Sequence, residues 1–496
     1  MDSWFSLPRR RLLTLAGAGI AASPLPALGQ SEGAGAAAPI DDPWTVFFKG
    51  QRIWAYVDRE SLDPGEKLNV MMAGGPGQPP RVVRLEVFRL GPAIDAPQPI
   101  WKSEFVTVGY RGATRSAAAI GPGWPAAIAA IDTAGWAPGC YTADVVEQTT
   151  ATRDVRAAQW IVRNPARSGA VLARLGTNTY QAYNPWGGHS LYPNDDDETR
   201  GLMVSFDRPT PPAFFEYDAY LVAWLEGMAA GLGGVDYASN FDVHADPGLL
   251  DRYRLVITGA HDEYWSGEEF SAFEARIFKS GGNAAFFGAD AAYCQVRYGD
   301  LNRPPQGAQQ GRQLVCYKTG ADPIALRAVA GDASLLVTSL FRDGERRPET
   351  MLMGGAYQNW FEPASEQRPD FLVARTDLPF FDGVGWKVGD VAAPVIGYEW
   401  DNRDPEGDGR RLWDARRSHI AALPADAVKV LFRGRAMGAD GQSGLAEATY
   451  FQSPAGAKVF NAGSVRWAWG LGKPGFTNAA FRKFNENLVR ALSARA

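Results

Sequence analysis

Hydrophobic and polar positions change their period partway along the chain. From about residue 44 to 165 the apolar runs are short, rich in β-branched residues and divided by Gly/Pro turns, as in KLNVMMAG, RVVRLEVFRL, CYTADVVEQ and AAQWIVRN. Runs of this kind predict strands, and strands so spaced predict an Ig-like β-sandwich. From about residue 170 strand and helix patterns alternate. RLVITGA reads as a buried strand. Ser266 and Glu269 follow as a capping box, and Phe270, Phe273 and Ile277 recur at helical spacing. Gly281-Gly282 ends that helix, and NAAFFGAD is the next buried strand. This βαβ unit predicts parallel strands joined by a right-handed crossover. VLARLGT reads as another strand, and Tyr217, Leu221, Trp224 and Met228 mark another helix. KVFNAG precedes a last helix from about 477 to 493.

The expected architecture is therefore α/β. A flavodoxin-like or amidotransferase-like parallel-sheet domain occupies 168–496, and a β-sandwich domain at 44–167 precedes it. A less regular, Gly/Pro-rich insertion at about 300–455 is expected to cover one sheet edge. Ligands of open α/β sheets gather at the carboxyl ends of the strands. Those tips carry Asn178 to Trp186, His261 to Trp265 and Asp290 to Tyr293, so polar and aromatic residues collect on one edge.

Residues 1–30 read as an export signal rather than as fold. SLPRRRLLTLAGAGIAASPLPALGQ combines three arginines, a modest apolar stretch and small residues, a twin-arginine-type pattern. Gly, Ser and Pro break the run well short of the ~20 apolar residues a membrane span needs. GAGIAA mimics a dinucleotide fingerprint but follows no strand. Residues 31–43 form a small-residue linker. The expected address is periplasmic or secreted, with no membrane span once the signal is removed. The twin-arginine route, which carries folded and often cofactor-loaded proteins, is a mild pointer to a bound metal.

Composition narrows the chemistry. A formal charge of −5 leaves no basic footprint for nucleic acid. The four histidines, His189, His244, His261 and His419, never fall at HxH or HExxH spacing, which argues against a local zinc site. Three widely spaced cysteines, Cys140, Cys294 and Cys316, do not form a disulfide framework. No serine or cysteine elbow and no phosphate-binding Gly loop is present. YPNDDDETRG reads as a solvated acidic loop. DPEGDG starts like a calcium loop, but its twelfth position is Ala415 where a glutamate is needed. Tyrosines and carboxylates near the strand tips remain, hard oxygen donors suited to a hard cation such as ferric iron.

TNTYQAYNPWGGHSLY, VSFDRP, TGAHDEYWS, AAFFGADAAYCQVRY and VFNAGSVRWAWGL together resemble the C-terminal region of the large (β) subunit of N,N-dimethylformamidase, over roughly residues 135–495. The resemblance implies hydrolysis of a small amide to an amine and formate at a mononuclear iron held by two tyrosines and a glutamate. Carried over by motif, it implies Glu263, Tyr183 and Tyr141 as ligands. It also implies His261, Lys318 and Glu399 as pocket residues, with Asp290 where an asparagine is expected. Glu399 would then shuttle a proton. His261 or Lys318 would hold an oxyanion, and Trp186 and Trp265 would wall the pocket. A small-molecule amide is the expected partner, and the larger assemblies of the family make a homo-oligomer compatible with the sequence.

Each assignment has a plain structural counterpart. Tyr141 could be the structural tyrosine of a Gly-x-Tyr stretch, and Glu263 could answer a helix dipole. His261 could be a satisfied core histidine, Lys318 a packed surface cation, and Glu399 a buried hydrogen-bonding group. The large subunits of the family also carry a long additional N-terminal region, where this chain has a signal and a linker. The competing reading is a non-catalytic exported binding protein whose aromatic-lined cleft takes a sugar or peptide.

Overall fold

The computed structural model describes residues 52–94, 98–113, 116–192, 200–209, 213–299, 312–318, 322–326, 333–342, 347–363, 365–403 and 427–495. The signal and linker expectations, most of the acidic loop and the DPEGDG stretch lie outside the described residues.

The β-rich region forms two sheets over one core. Ile53–Val57, Lys67–Gly74 and Ala126–Asp132 make an antiparallel three-stranded sheet. Arg81–Arg89, Gly139–Glu147 and Arg153–Val162 are neighbours in the second sheet. Alternate residues of both sheets meet in a shared apolar cluster: Ile53, Ala55 and Val57 against Leu85, Val87, Ala143 and Val145. The two-residue period of extended chain produces this segregation. Cys140 and Ile161, on the opposite face of the second sheet, join the α/β core instead. The same period thus ties the two layers of the molecule together.

The central sheet has nine strands. In chain order these are Val171–Arg174 (β1), Val235–Ala238 (β2), Leu255–Thr258 (β3), Asn283–Phe286 (β4), Phe371–Val373 (β5), Val391–Ala393 (β6), Lys429–Met437 (β7), Ser443–Gln452 (β8) and Lys458–Asn461 (β9). Their order in space is β2-β1-β3-β4-β9-β8-β7-β5-β6. The first five are parallel to one another, and the rest pair antiparallel. Strands β1, β3 and β4 are buried on both faces. Val171, Leu255 and Ala285 face the cluster that includes the helices Ala213–Leu232 and Ala479–Ser493. Leu172, Val256, Ala284 and Phe286 face the helix Gly267–Ala275 on the other side. Two-sided burial explains why these strands read as unbroken apolar runs.

Two expectations are revised in detail. Part of the region expected to be an irregular insertion supplies β5 to β8, so it lengthens the sheet. The helix after β3 does start at Ser266, whose hydroxyl accepts the Glu269 N–H at 3.2 Å. Glu269 does not complete the capping box, because its carboxylate pairs with Arg174 Nε at 2.9 Å. No helix among the described residues is long and apolar enough to cross a membrane.

Candidate functional site

The exit of β3 sets the site. The sequence places three polar residues, His261, Asp262 and Glu263, in a row. His261 bridges in parallel to Ala289 beyond the end of β4, which keeps this segment extended. Gly288 permits that approach, since a Cβ there would lie 1.8 Å from the Ala260 carbonyl oxygen. Extended chain turns alternate side chains apart. Asp262 faces the fully buried Arg174 guanidinium, which also holds Glu269 and lies 4.5 Å from the Trp265 ring centroid. His261 and Glu263 face the other way, toward each other at 3.7 Å.

Glu263 is fully buried and gathers donors. The Tyr183 hydroxyl donates to Oε2 at 2.6 Å, the Tyr192 hydroxyl donates to Oε1, and Cys294 Sγ donates to Oε1 at 3.4 Å. Lys318 Nζ stands 3.8 Å from Oε1 and 3.4 Å from the Tyr192 ring centroid. The two phenol rings stack at 4.2 Å, 16° from parallel. The helix Thr177–Ala182 delivers Tyr183 at its C-terminal end, and Thr179 on it accepts the Glu263 N–H at 2.9 Å. Lys318 follows the strand Gln313–Val315.

His261 hydrogen-bonds through Nδ1, whereas Nε2 makes a close carboxylate contact without hydrogen-bond geometry. Nδ1 lies 3.1 Å from the Tyr398 hydroxyl and Nε2 lies 2.9 Å from a Glu399 oxygen. Asp290 brings a third carboxylate to 4.0 Å from Nε2. Asp290 adopts a left-handed φ of 55°, and its N–H donates to Asp401 at 2.9 Å. Burial, the largest influence, pushes the Asp401 carboxyl up to about 6. Burial and the Glu263 charge push the Tyr264 phenol well above its ordinary value.

Of the residues expected at the site, His261, Glu263, Asp290, Lys318, Glu399 and Tyr183 come together. Tyr141 does not join them. Its hydroxyl donates to the Ala137 carbonyl, its ring stacks between Trp136 and Trp160 inside the sandwich, and none of these partners belongs to the Glu263 group. Tyr192 brings the second phenol to Glu263 instead. It closes the same GGHSLY stretch that follows Tyr183, which was the available signal. The two tryptophans are not pocket walls either. Trp265 packs on Phe273 and Phe286 in the core, and Trp186 packs on Trp54 and Trp124 against the sandwich. Arg208, from VSFDRP, also escaped the sequence reading. Its buried guanidinium donates to the carbonyls of Ser205, Gln181, Asn184 and Trp186 at 2.7 to 3.1 Å and of His189 at 3.4 Å. It ties down the loop between the two tyrosines.

This donor set suits a cation. Glu263, Asp290 and Glu399 are buried carboxylates facing one lysine and one histidine, an imbalance that is costly without further positive charge. One donor atom each from His261, Glu263 and Asp290 falls within 4.8 Å of the others, so this buried group can hold a metal ion. The phenol oxygens of Tyr183 and Tyr192, both bonded to the Glu263 carboxylate, add hard donors.

A β-rich α/β protein with a buried, oxygen-rich cluster at the carboxyl ends of its parallel strands is the class that fold and site define. The chain belongs to the N,N-dimethylformamidase beta subunit-like C-terminal family, whose model matches residues 84–480. That match starts inside the sandwich, earlier than the motifs alone suggested. Among proteins of curated function, none matches the chain significantly.

Proposed function

We propose that this protein is an exported, iron-dependent hydrolase of a small amide or a related C–N bond. The observation that carries the reading is the meeting of the Tyr183 and Tyr192 hydroxyls on the two oxygens of the Glu263 carboxylate. Tyr183, Tyr192 and Glu263 would hold the ion, and family membership supports amide hydrolysis. Bound there, ferric iron supplies Lewis acidity toward an amide carbonyl and toward water.

The chain's own residues do the rest. Glu399 takes a proton from the attacking water and returns it to the departing nitrogen, so amide and water become acid and amine. His261, fixed by Tyr398 at Nδ1, holds Nε2 2.9 Å from a Glu399 oxygen and, when protonated, steadies that carboxylate's charge. Lys318 Nζ, close to Glu263, offers a donor to the developing oxyanion. Asp290, in the place of an expected asparagine, adds negative charge beside His261 and favours a substrate with a donor on that side.

The finer architecture belongs to the same proposal. The parallel strands in the order β2-β1-β3-β4-β9 correspond to the flavodoxin-like order 2-1-3-4-5, which supports that reading of 168–496. An Ig-like reading of 44–167 rests on its two antiparallel sheets. The arginine-rich residues 1–30 support a periplasmic or secreted location, and a homo-oligomer accords with the family. The test is elemental analysis of the purified protein with Tyr183→Phe and Glu263→Gln variants, followed by a screen of simple amides. Near-stoichiometric iron lost in both folded variants is expected. Iron-free protein after its own export would refute the hydrolase, and iron without amide turnover would refute the substrate class.

A further inference from the structure

A cavity lies between the sandwich and the α/β layers, lined by none of the residues of the Glu263 cluster. Its volume is about 50 Å³. A single water needs roughly 10–15 Å³ on that measure, so the space suits a molecule of a few heavy atoms. Cys140, Ile161, Leu175, Phe206 and Phe214 give it apolar walls. Three polar atoms of its lining residues have no hydrogen-bond partner: the Tyr180 hydroxyl, on a side chain 5% exposed, the Trp160 indole N–H and the buried Gln159 Oε1. Unpaired buried groups of this kind are uncommon in native proteins, and each costs free energy unless something answers it. Phe214 meets the Tyr180 ring edge-on at 6.1 Å and restricts where the hydroxyl points.

The chemistry of the lining selects the occupant. Tyr180 and the Trp160 indole N–H can donate to a carbonyl oxygen, and Gln159 Oε1 can only accept, so it calls for an N–H or O–H. The wall also carries Glu60, whose carboxyl burial pushes up to about 8, so it holds its proton at neutral pH. Arg312, the one cation on the wall, is already committed to Asp207 and to the Val57 carbonyl. We propose that this interface cavity is a second binding site, selective for a small uncharged molecule carrying both a carbonyl acceptor and an N–H donor, that is, a primary or secondary amide. The site is independent of any metal at Glu263. The short helix Thr177–Ala182, which carries Tyr180 and ends at Tyr183, joins it to that cluster.

Ligand-observed NMR with acetamide as probe, and acetate as its charged counterpart, tests this. The Glu263→Gln protein is the background, so that turnover is removed and the fate of the hydrolase reading does not enter. Acetamide is expected to bind with an affinity in about the millimolar range, given how few atoms it has. Tyr180→Phe and Gln159→Leu, each removing one polar contact, are expected to weaken it several-fold. Unchanged acetamide binding in both variants would overturn the site. So would acetamide binding that disappears in Glu263→Gln while wild type retains it, because the probe would then occupy the metal cluster alone. Acetate binding as tightly as acetamide would overturn the preference for a neutral ligand.

Discussion

Replacing Arg208 with methionine isolates what holds the two tyrosines in place. The guanidinium is fully buried and no carboxylate among the described residues answers it; its donors go to five backbone carbonyls, four of them within 3.1 Å. Burial alone lowers its proton affinity to about 9, which still leaves it charged at neutral pH. Methionine matches the length of the stem but donates nothing, so the carbonyls of Gln181, Asn184 and Trp186 lose a shared partner. At about 1 kcal/mol net per bond, the gross loss is about 4–5 kcal/mol. Relief of the buried charge offsets part of that, leaving an expected destabilisation of about 2–4 kcal/mol. At roughly 2–4 °C per kcal/mol for large domains, Tm should fall by about 4–16 °C. The same variant should lose metal affinity, because Tyr183 and Tyr192 flank the released loop. Thermal unfolding at fixed scan rate, with elemental analysis of the folded fraction, reads both effects. A Tm within 2 °C of wild type together with full metal content would refute the reasoning. Arg208→Lys should recover less than half of the loss, since one ammonium cannot span five acceptors.

Other expectations follow from the same geometry. Tyr192→Phe should deplete bound iron, whereas Tyr141→Phe should retain it and cost about 1–2 kcal/mol in unfolding free energy, the worth of one buried hydrogen bond; the reverse pattern by elemental analysis would reinstate Tyr141. Arg174→Met strips Asp262 and Glu269 of their shared cation and should cost about 3–5 kcal/mol in denaturant titrations; a loss below 1 kcal/mol would contradict it. Asp218 is raised from 3.8 to about 7, chiefly by burial. Its folded form therefore keeps a proton that the unfolded chain has already released, and stability must fall as pH rises from about 4 to 7. Asp218→Asn keeps the acceptor for the Ala260 N–H and should flatten that slope in Tm measured from pH 5 to 8; an unchanged slope would assign it to other groups.

How far the sequence could be read depends on whether a feature is local. β1, β3, β4 and β9 were legible because each is a short apolar run closed by a breaker, and two-sided burial makes such runs stand out. The location of the site followed from them, since strand tips are fixed once the strands are. β7 and β8 were not legible as parts of that sheet. Their pairing joins a hairpin to β9, and nothing local in KVLFRGRAM says which sheet it extends. The polar triplet illustrates the same limit at the scale of single residues. His261, Asp262 and Glu263 are equally polar in sequence, and only the extended backbone beside Ala289 sorts Asp262 to the buried arginine and the other two to the cluster. The alternation does not carry through to Trp265, because the chain is not continuous strand between Thr258 and Tyr264. Trp265 consequently packs on Arg174 rather than lining the cluster. The tyrosines fail for a related reason. Tyr141 sits in a Gly-x-Tyr stretch and Tyr192 at the end of a glycine-rich loop, and a phenol reads identically in both. What separates them is Arg208, sixteen positions beyond Tyr192, whose carbonyl contacts fold the loop back until both hydroxyls reach Glu263. The geometry of the proposed ligands is thus set by a residue that does not touch Glu263, and a motif-by-motif transfer overlooks residues of that kind.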